Sequence, residues 1–419
     1  MTNRYPCHQF TCFFAPIATD HPAAFVKALK EDGRYLEEKK NAAPCYLLPY
    51  ITEIYKDSSL YSSFSLKKEH FPLLSVYDQT LCLNSPPLLS GIRISCFSTG
   101  CAFAEFTVEY TDLPLDQIAN FVYYFKNAVR KDKNRPDALS LHDALEQILP
   151  HTVAYTSFFS ANGFKKECKT FHGLCAPSAP KEEELQGYLT YLRRGYGTFF
   201  ALPQGDSDYD MLYEPYSYDR FGGSQEALVN LCYYSDDPSA NGYIAKYKRA
   251  QLENDYRFMY LLLLNQRFTA VRYIDRIAAL NKSRLSDREK EKHLNELDLQ
   301  IIRLKTVFSF NVVSDDLLYQ NVYKRMYAIL DIDRLLEDIC DNEEQLTKLQ
   351  NGKALETERK TERFLLLLSV LSISSVLIDT SGFLDRLAFG SLSSTLTSVA
   401  LVLPVVAFYL IVLWRNRRK

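Results

Sequence analysis

The chain of 419 residues lacks the short motifs that mark most catalytic sites. Its Gly222-Gly223-Ser224 sequence is not followed by the lysine of a phosphate-binding loop. No G-x-S-x-G or H-E-x-x-H motif occurs, and no cysteine, histidine and asparagine pattern of a thiol enzyme stands out. These absences predict a protein that is not an enzyme and has no organic cofactor.

The sequence also lacks an excess of charge of one sign and an apolar run near its N-terminus. The 49 Lys and Arg residues nearly balance the 51 Asp and Glu residues, for a formal net charge of −2, so nothing favours a nucleic-acid partner. No apolar run follows Arg4, and we therefore expect no secretory signal and a cytoplasmic N-terminus. The ten cysteines include no Cys-x-x-Cys pair, which favours reduced core thiols over a zinc site.

Long apolar runs are concentrated at the C-terminal end. Residues 364–384 and 392–414 each reach the roughly 20 mainly apolar residues that a helix needs to cross a bilayer. Lys and Arg flank the outer ends of both runs, whereas the loop between them holds one cation, Arg386. By the positive-inside rule, both ends face the cytoplasm. Residues 363–419 are therefore predicted to form a transmembrane hairpin with a basic tail, in a multi-pass protein of the cell (plasma or inner) membrane.

Residues 1–238 mix strand and helix patterns without strict alternation, which predicts an α+β cytoplasmic domain. The clearest hairpin is 91–112, which turns near Gly100. Residues 115–131 follow as an amphipathic helix. The other predicted strands are 8–18, 153–160 and 198–203, and the other predicted helices are 21–33, 141–149 and 182–194.

Tyrosine is concentrated in residues 206–223, DSDYDMLYEPYSYDRFGG. Two interpretations stay open. This segment and the sheet form an aromatic pocket for a small-molecule ligand, or the tyrosines line the edge of an ordinary core. The first makes the N-terminal domain a regulatory domain, and the second makes its aromatic residues structural.

Glycine and proline nearly vanish after about residue 240, where long helical patterns replace the mixed ones. The first long helix runs from about Gly242 to Leu280 and contains an apolar run, 258–264, that is too short to span a membrane. Residues 239–362 are therefore predicted to be long helices that form a stalk.

The second helix of this stalk begins at a capping box of Ser286 and Glu289. Apolar residues then step by 3 and 4, which is typical of a coiled-coil seam. The residues of the seam are Leu294, Leu297, Ile301, Leu304 and Phe308. The third helix begins at Ser314 and either continues as one rod over 315–378 or closes a self-contained three-helix bundle.

The order of these parts resembles the CorA-like superfamily of two-helix divalent-cation transporters. In that superfamily a cytoplasmic α+β domain and long stalk helices precede two C-terminal membrane helices. The family's Gly-Met-Asn motif is missing, because residues 378–382 read Ile-Asp-Thr-Ser-Gly and no methionine follows Met326. The resemblance implies a pentamer around a pore and a divalent cation as a transported or regulatory ion. For divergent members that lack the motif, it implies a ligand-gated membrane effector that accompanies type III CRISPR systems.

A polar stripe along the first predicted membrane helix supplies candidate pore residues. Four residues are spaced by 3, 3 and 4 and therefore share one helix face. They are Ser369, Ser372, Ser375 and Asp379. Either the serines line a polar path that ends in an acidic, cation-favouring ring of Asp379, or they permit close helix packing and Asp379 simply begins the loop. The outer-loop residues are Thr380, Ser381, Gly382 and Asp385.

Three functions stay open from the sequence. The first is a homo-oligomeric, CorA-like membrane channel or transporter for cations with a large cytoplasmic regulatory domain. The second is a ligand-gated membrane effector of a prokaryotic defence or signalling system, whose cytoplasmic domain binds a small molecule. The third is a non-conducting scaffold anchored in the lipid bilayer.

Overall fold

The structure, a computed structural model, describes most of the chain before residue 342. The described residues are 7–39, 44–72, 74, 83, 85–127, 141–158, 168–201, 210–283, 285–341, 361–362 and 364–365. Contacts divide the chain into two compact units, Met1–Asn342 and Glu343–Lys419. The described residues of the second unit are helical.

A mixed sheet of ten strands forms the centre of the first unit. The strands are β1 (Gln9–Ala18), β2 (Tyr35–Glu37), β3 (Tyr61–Leu66), β4 (Leu88–Phe97), β5 (Cys101–Glu109), β6 (Thr156–Ser157), β7 (Lys169–Ala176), β8 (Met211–Tyr216), β9 (Asp219–Gly223) and β10 (Ala227–Tyr233). Their order in the sheet is β2-β3-β4-β5-β1-β7-β10-β9-β8, and β6 pairs with the end of β1. The described pairings are antiparallel except that between β7 and β10, which is parallel. The first strand of the chain therefore lies in the middle of the sheet.

Helices pack on both faces of this sheet. They are α1 (Pro22–Glu31), α2 (Pro49–Lys56), α3 (Leu115–Asn127), α4 (Leu141–Ile148), α5 (Glu182–Arg194), α6 (Pro238–Tyr243), α7 (Arg249–Gln251), α8 (Arg257–Lys282), α9 (Asp287–Arg303), α10 (Leu317–Ile329) and α11 (332–341). On the first face, α1, α3, α4 and α5 share one apolar core with the strands. There the Phe13 ring of β1 lies 6.4 and 4.4 Å from the rings of Phe121 and Phe125 in α3.

Helix α8 lies against the second face of the sheet. Its Tyr260 ring is 5.8 Å from the ring of Phe14 in β1. Helix α10 joins the same layer, because its Tyr319 stacks on Tyr256, the residue before α8, with ring centroids 4.3 Å apart. All side chains of residues 258–264 are completely buried, as expected for a helix that is apolar on every side and packed within a protein core.

Many local elements agree with the sequence patterns. The hairpin predicted over 91–112 corresponds to β4 and β5, and Gly100 occupies its turn with a φ of 86°. The helix predicted over 182–194 coincides with α5. Ser286 and Glu289 exchange side-chain and backbone hydrogen bonds at the start of α9, so the predicted capping box is confirmed.

Two predicted strands differ from the structure. Within 153–160 only Thr156–Ser157 forms a strand, and residues 159–160 lie outside the described residues. Residues 198–200 form a turn instead of the strand predicted there. The turn places the Phe199 and Phe200 rings 5.3 and 5.1 Å from the ring of Tyr123 in α3. The aromatic run thus reflects packing on a helix.

The long helical stalk predicted from the sequence is wrong for the described residues. In the seam of α9, Leu294, Leu297 and Ile301 are each at most 4% exposed, and α9 packs on α8 of the same chain. The heptad pattern therefore reflects packing within one subunit. The predicted rod over 315–378 is interrupted, because α10 ends at Ile329 and Asp331 has a φ of 58° before α11 begins.

The predicted transmembrane hairpin also requires correction. Among the described residues, no helix has both the length and the apolar character needed to cross a membrane. The longest helix there, α8, interrupts its apolar residues with Arg267, Arg272 and Asp275. The predicted spans lie outside the described residues except for Phe364 and Leu365. The described part of the chain thus contradicts the predicted hairpin, the membrane localisation and the membrane-channel role, all of which require a membrane-spanning helix.

Candidate functional site

Two adjoining cavities lie where α8 and α9 meet the turn after β1. The larger, of about 320 Å³, has a mostly apolar surface, and the smaller, of about 200 Å³, is lined mainly by polar side chains. The polar and charged residues that also line the larger cavity are Arg276, Ser283, His293, Glu296 and Gln300. Gln300 lines both. We call the two cavities together the α8–α9 groove. Its aliphatic residues are Ala279, Leu280, Leu285 and Leu297, and the polar cavity includes Asp20, Ser98, Arg272 and Arg303.

Local folding brings the two ends of the groove together. Arg272 and Arg276 are one helical turn apart on α8 and therefore point the same way. The turn after β1 is fixed to the β4–β5 turn, because the N–H of Thr19 donates to the carbonyl of Gly100 at 2.8 Å. A Cβ on Gly100 would collide with both the Thr19 carbonyl and the Arg272 guanidinium. Glycine at this position is thus required by the positive φ and by the arginine.

The two arginines of α8 converge on one carboxylate. Arg272 donates to the carbonyls of Thr99 and Thr19 at 3.1 and 2.8 Å and also to Oδ1 of Asp20. Arg276 donates to the same Oδ1 at 2.7 Å and to Oε1 of Gln300 at 2.9 Å. Arg272 is 8% exposed. Because a buried guanidinium needs acceptors for its N–H groups, these partners are structurally important.

The polar cavity carries excess positive charge. Burial alone would raise the pKa of Asp20, but the hydrogen bond from Arg272 and the nearby Arg276 charge outweigh it and lower that pKa below its usual value. Asp20 is therefore ionised at neutral pH, and it faces three arginines, since Arg303 lines the same cavity. Burial raises the pKa of Tyr273, so its hydroxyl stays neutral there. The cavity is suited to an anionic group.

An unsatisfied hydroxyl also lines the polar cavity. Ser98 Oγ is buried and finds no hydrogen-bond partner in the described part of the chain. Most buried polar side-chain atoms in native proteins have a partner from the protein or from ordered water. The hydroxyl is therefore available to a bound ligand.

The cysteine and histidine residues in the described part of the chain do not form a metal centre. No group of three or more His, Cys, Asp and Glu residues in the described ranges is arranged to hold a metal ion. His172 lies between the hydroxyls of Thr11 and Thr170 at 2.8 and 3.0 Å. Burial lowers its pKa to about 3, so the imidazole is neutral and structural.

The residues predicted to line a pore lie outside the described residues. These are Ser369, Ser372, Ser375 and Asp379, together with the loop residues Thr380, Ser381, Gly382 and Asp385. Of the tyrosine-rich segment, the described part forms β8 and β9. A cavity of about 640 Å³ lies at the start of β8. Its described lining is charged and aliphatic, with Arg193, Met211 and Arg325 among its residues.

The groove residues were not identified from the sequence. Arg272 and Arg276 are four apart in a helix that is otherwise largely apolar, and that spacing could have suggested a shared anionic partner. Asp20 lies two residues after the end of the predicted strand 8–18. No local pattern connects Asp20 or Ser98 with α8, because their proximity depends on the tertiary fold.

Known proteins give little guidance about this chain. No protein family model matches it, and no curated protein does. A solved structure described as the structure of the full-length CmaX protein is similar at 11% identity, with 62% of this chain and 91% of that chain covered and a TM-score of 0.24. A TM-score this low carries no argument about fold or function. The CorA-like resemblance stays a prediction from the sequence.

Proposed function

We propose that the first unit of the chain is a non-catalytic module that binds a small organic anion in the α8–α9 groove. The observation that supports this proposal is the junction of the aliphatic cavity with the arginine-lined one at Gln300. Ligand sites in proteins are concave and largely apolar, with a few convergent polar groups that fix orientation. The groove has both parts, and two arginines of its charged end belong to helix α8.

The groups in the groove are better suited to binding than to acid–base chemistry. The low pKa of Asp20 makes its carboxylate a weak base at neutral pH. Arg272 and Arg276 are committed to hydrogen bonds and keep their charge. His293 at the aliphatic end is half exposed and lies 3.7 Å from Glu296. This arrangement favours recognition of an anion.

Ligand binding in the groove would act on the helix layer. Helix α9 continues into a π-helical turn, Leu304–Phe308, and the Phe308 carbonyl accepts a hydrogen bond from Gln266 of α8. A ligand between α8 and α9 therefore changes the packing of a segment that is connected to the centre of the second layer. This connection is the basis for a sensing role. The homo-oligomer expected from the CorA-like resemblance is a separate proposal, and the sensing role does not depend on it.

The test uses two neighbouring alanines of α8. Both alanines are exposed, but Ala279 lines the aliphatic cavity and Ala278 is not among the lining residues. We expect the purified full chain to bind the fluorescent organic anion anilinonaphthalene sulfonate saturably. Ala279→Phe should weaken this binding at least about tenfold by filling the cavity, since that corresponds to the loss of about 1.4 kcal/mol of contact.

The matched control is Ala278→Phe, which adds the same ring on the outer side of the helix and should leave the dissociation constant unchanged. Thermal unfolding by circular dichroism would show that both variants are folded. Equal binding by Ala279→Phe and Ala278→Phe, or a signal that never saturates, would contradict a site in the groove.

A further inference from the structure

We infer that the anion bound in the α8–α9 groove has an aliphatic body, and that its head group displaces Asp20 from Arg272 and Arg276. The head group is a carboxylate or a phosphate monoester, which share the negatively charged oxygens that arginine recognises. This inference rests on the proposed binding function and adds the ligand class and the way in which the site is regulated.

Asp20 occupies the position of a ligand head group. One of its oxygens accepts from both arginines, as a bound carboxylate or phosphate oxygen would. The Asp20 side chain is 63% exposed, whereas that of Arg272 is 10% exposed. An exposed carboxylate is held only weakly because water screens the ion pair. A ligand can therefore replace it without opening the core.

The buried arginine makes that replacement selective. Arg272 is fixed in place by the carbonyls of Thr19 and Thr99, so its remaining N–H groups point in a constant direction. When Asp20 leaves, they need another acceptor, because an unpaired buried charge is unfavourable. The free hydroxyl of Ser98 in the same cavity provides a further donor. A neutral head group would leave the arginines unneutralised.

The other cavity determines the body of the ligand. Its apolar lining in the described residues consists of alanine and leucine, without Phe, Tyr or Trp, and the one ring among those residues is the half-exposed imidazole of His293. Leu297 is 3% exposed and belongs to the buried face of α9, whereas Leu285 is 37% exposed at the mouth. Such a lining offers dispersion contacts to methylene groups and no large buried ring on which a nucleobase could stack. The body is therefore aliphatic.

Calorimetric titration with octyl phosphate and with octanoate, each below the concentration at which it forms micelles, tests the inference. We expect both to bind the full chain and to compete with anilinonaphthalene sulfonate. The one that binds more tightly identifies the head group. Inorganic phosphate alone should bind at least about tenfold more weakly, because it lacks the buried methylene groups.

Two variants distinguish displacement from simple binding. Asp20→Asn removes the competing carboxylate and should strengthen octyl phosphate binding about fivefold, in line with an exposed ion pair. Arg276→Gln removes one charge-assisted hydrogen bond and should weaken it at least about tenfold. Circular dichroism melting of each variant would show that it is folded.

Several outcomes would overturn the inference. If the Asp20→Asn variant binds octyl phosphate with the wild-type affinity, or more weakly, Asp20 does not compete with the ligand. Equal binding of the neutral octyl glucoside would show that the head group is not recognised as an anion. If saturable dye binding remains sensitive to Ala279→Phe but neither octyl anion competes, the proposed function stands and this ligand class is wrong.

Discussion

The ion pair between Asp219 and Lys248 provides a sharp test of the second helical layer. Lys248 Nζ lies 2.5 Å from Asp219 Oδ2, and the two side chains are 1% and 2% exposed. Lys248 ends a π-helical turn, Ile244–Lys248, and Asp219 begins β9. The other oxygen of Asp219 accepts from Asn230 Nδ2 at 2.6 Å. The pair thus joins the helix to the sheet where water is excluded.

Lys248→Met keeps most of the apolar side chain and removes the ammonium group, which lies over the ring of Phe221. The Asp219 carboxylate is then buried with one hydrogen-bond donor, Asn230. Removing one partner of a buried ion pair costs about 3–5 kcal/mol. With a urea dependence of about 3 kcal/mol per molar, the midpoint of unfolding should fall by about 1–1.7 M. Asp219→Asn, which leaves Lys248 uncompensated, should cost a similar amount.

The double variant determines whether the cost comes from the unpaired charge. Asp219→Asn with Lys248→Met leaves neither charge, so it should be more stable than the sum of the two single changes predicts by at least about 2 kcal/mol. Urea unfolding of the full chain followed by circular dichroism gives all four values. The exposed pair Lys27 and Glu31, with side chains 74% and 67% exposed, provides the control, because Lys27→Met should cost less than about 0.5 kcal/mol. Equal effects of Lys248→Met and Lys27→Met would refute the reasoning.

Two further predictions concern a helix start and an acid-sensitive pair. Ser286→Ala removes the capping box of α9 and should destabilise that helix by about 1 kcal/mol. Amide hydrogen exchange in α9 should become faster, and an unchanged exchange rate would contradict the prediction. Burial would raise the pKa of Glu226, but Lys126 and Lys169 outweigh it and lower the pKa to about 2. Because the folded-state pKa is depressed, this stabilisation is complete above the unfolded pKa of about 4.3 and is lost as the pH falls towards 2. Between about pH 4.3 and pH 2 the melting temperature of Glu226→Gln should therefore fall less than that of the wild type. Parallel curves of melting temperature against pH would contradict this.

Local sequence patterns predict an element correctly where one of its faces packs against a single apolar core. Helix α3 was predicted from its amphipathic pattern, and its Ile118, Phe121 and Val122 are completely buried. Strand β7 was not predicted, although it lies next to the centre of the sheet. Its Lys169, Thr170 and His172 are buried with partners from distant parts of the chain. Polar core residues of this kind are hidden from a hydropathy pattern.

Periodicity identified helices but not what they pack against. The seam of α9 has the 3 and 4 spacing of a coiled coil, and an apolar stripe is the same whether its partner is another subunit or α8. The groove illustrates the same limit. The polar cavity needs residues from the β1–α1 turn, the β4–β5 turn, α8 and α9, and their proximity follows from strand order that no single segment encodes.

The central position of β1 has a consequence for how the chain is made. Its Thr11 side chain bonds with that of His172, which is 161 positions later in the chain. At about 5–20 residues per second, the ribosome needs on the order of ten seconds or more after synthesising β1 to deliver β7, which pairs with its second edge. Throughout this time a strand whose ten residues are all buried in the folded protein has an unpaired edge. Synthesis therefore exposes the chain to aggregation at its N-terminal end, and we expect the nascent protein to depend on a chaperone at the ribosomal exit until β7 has emerged.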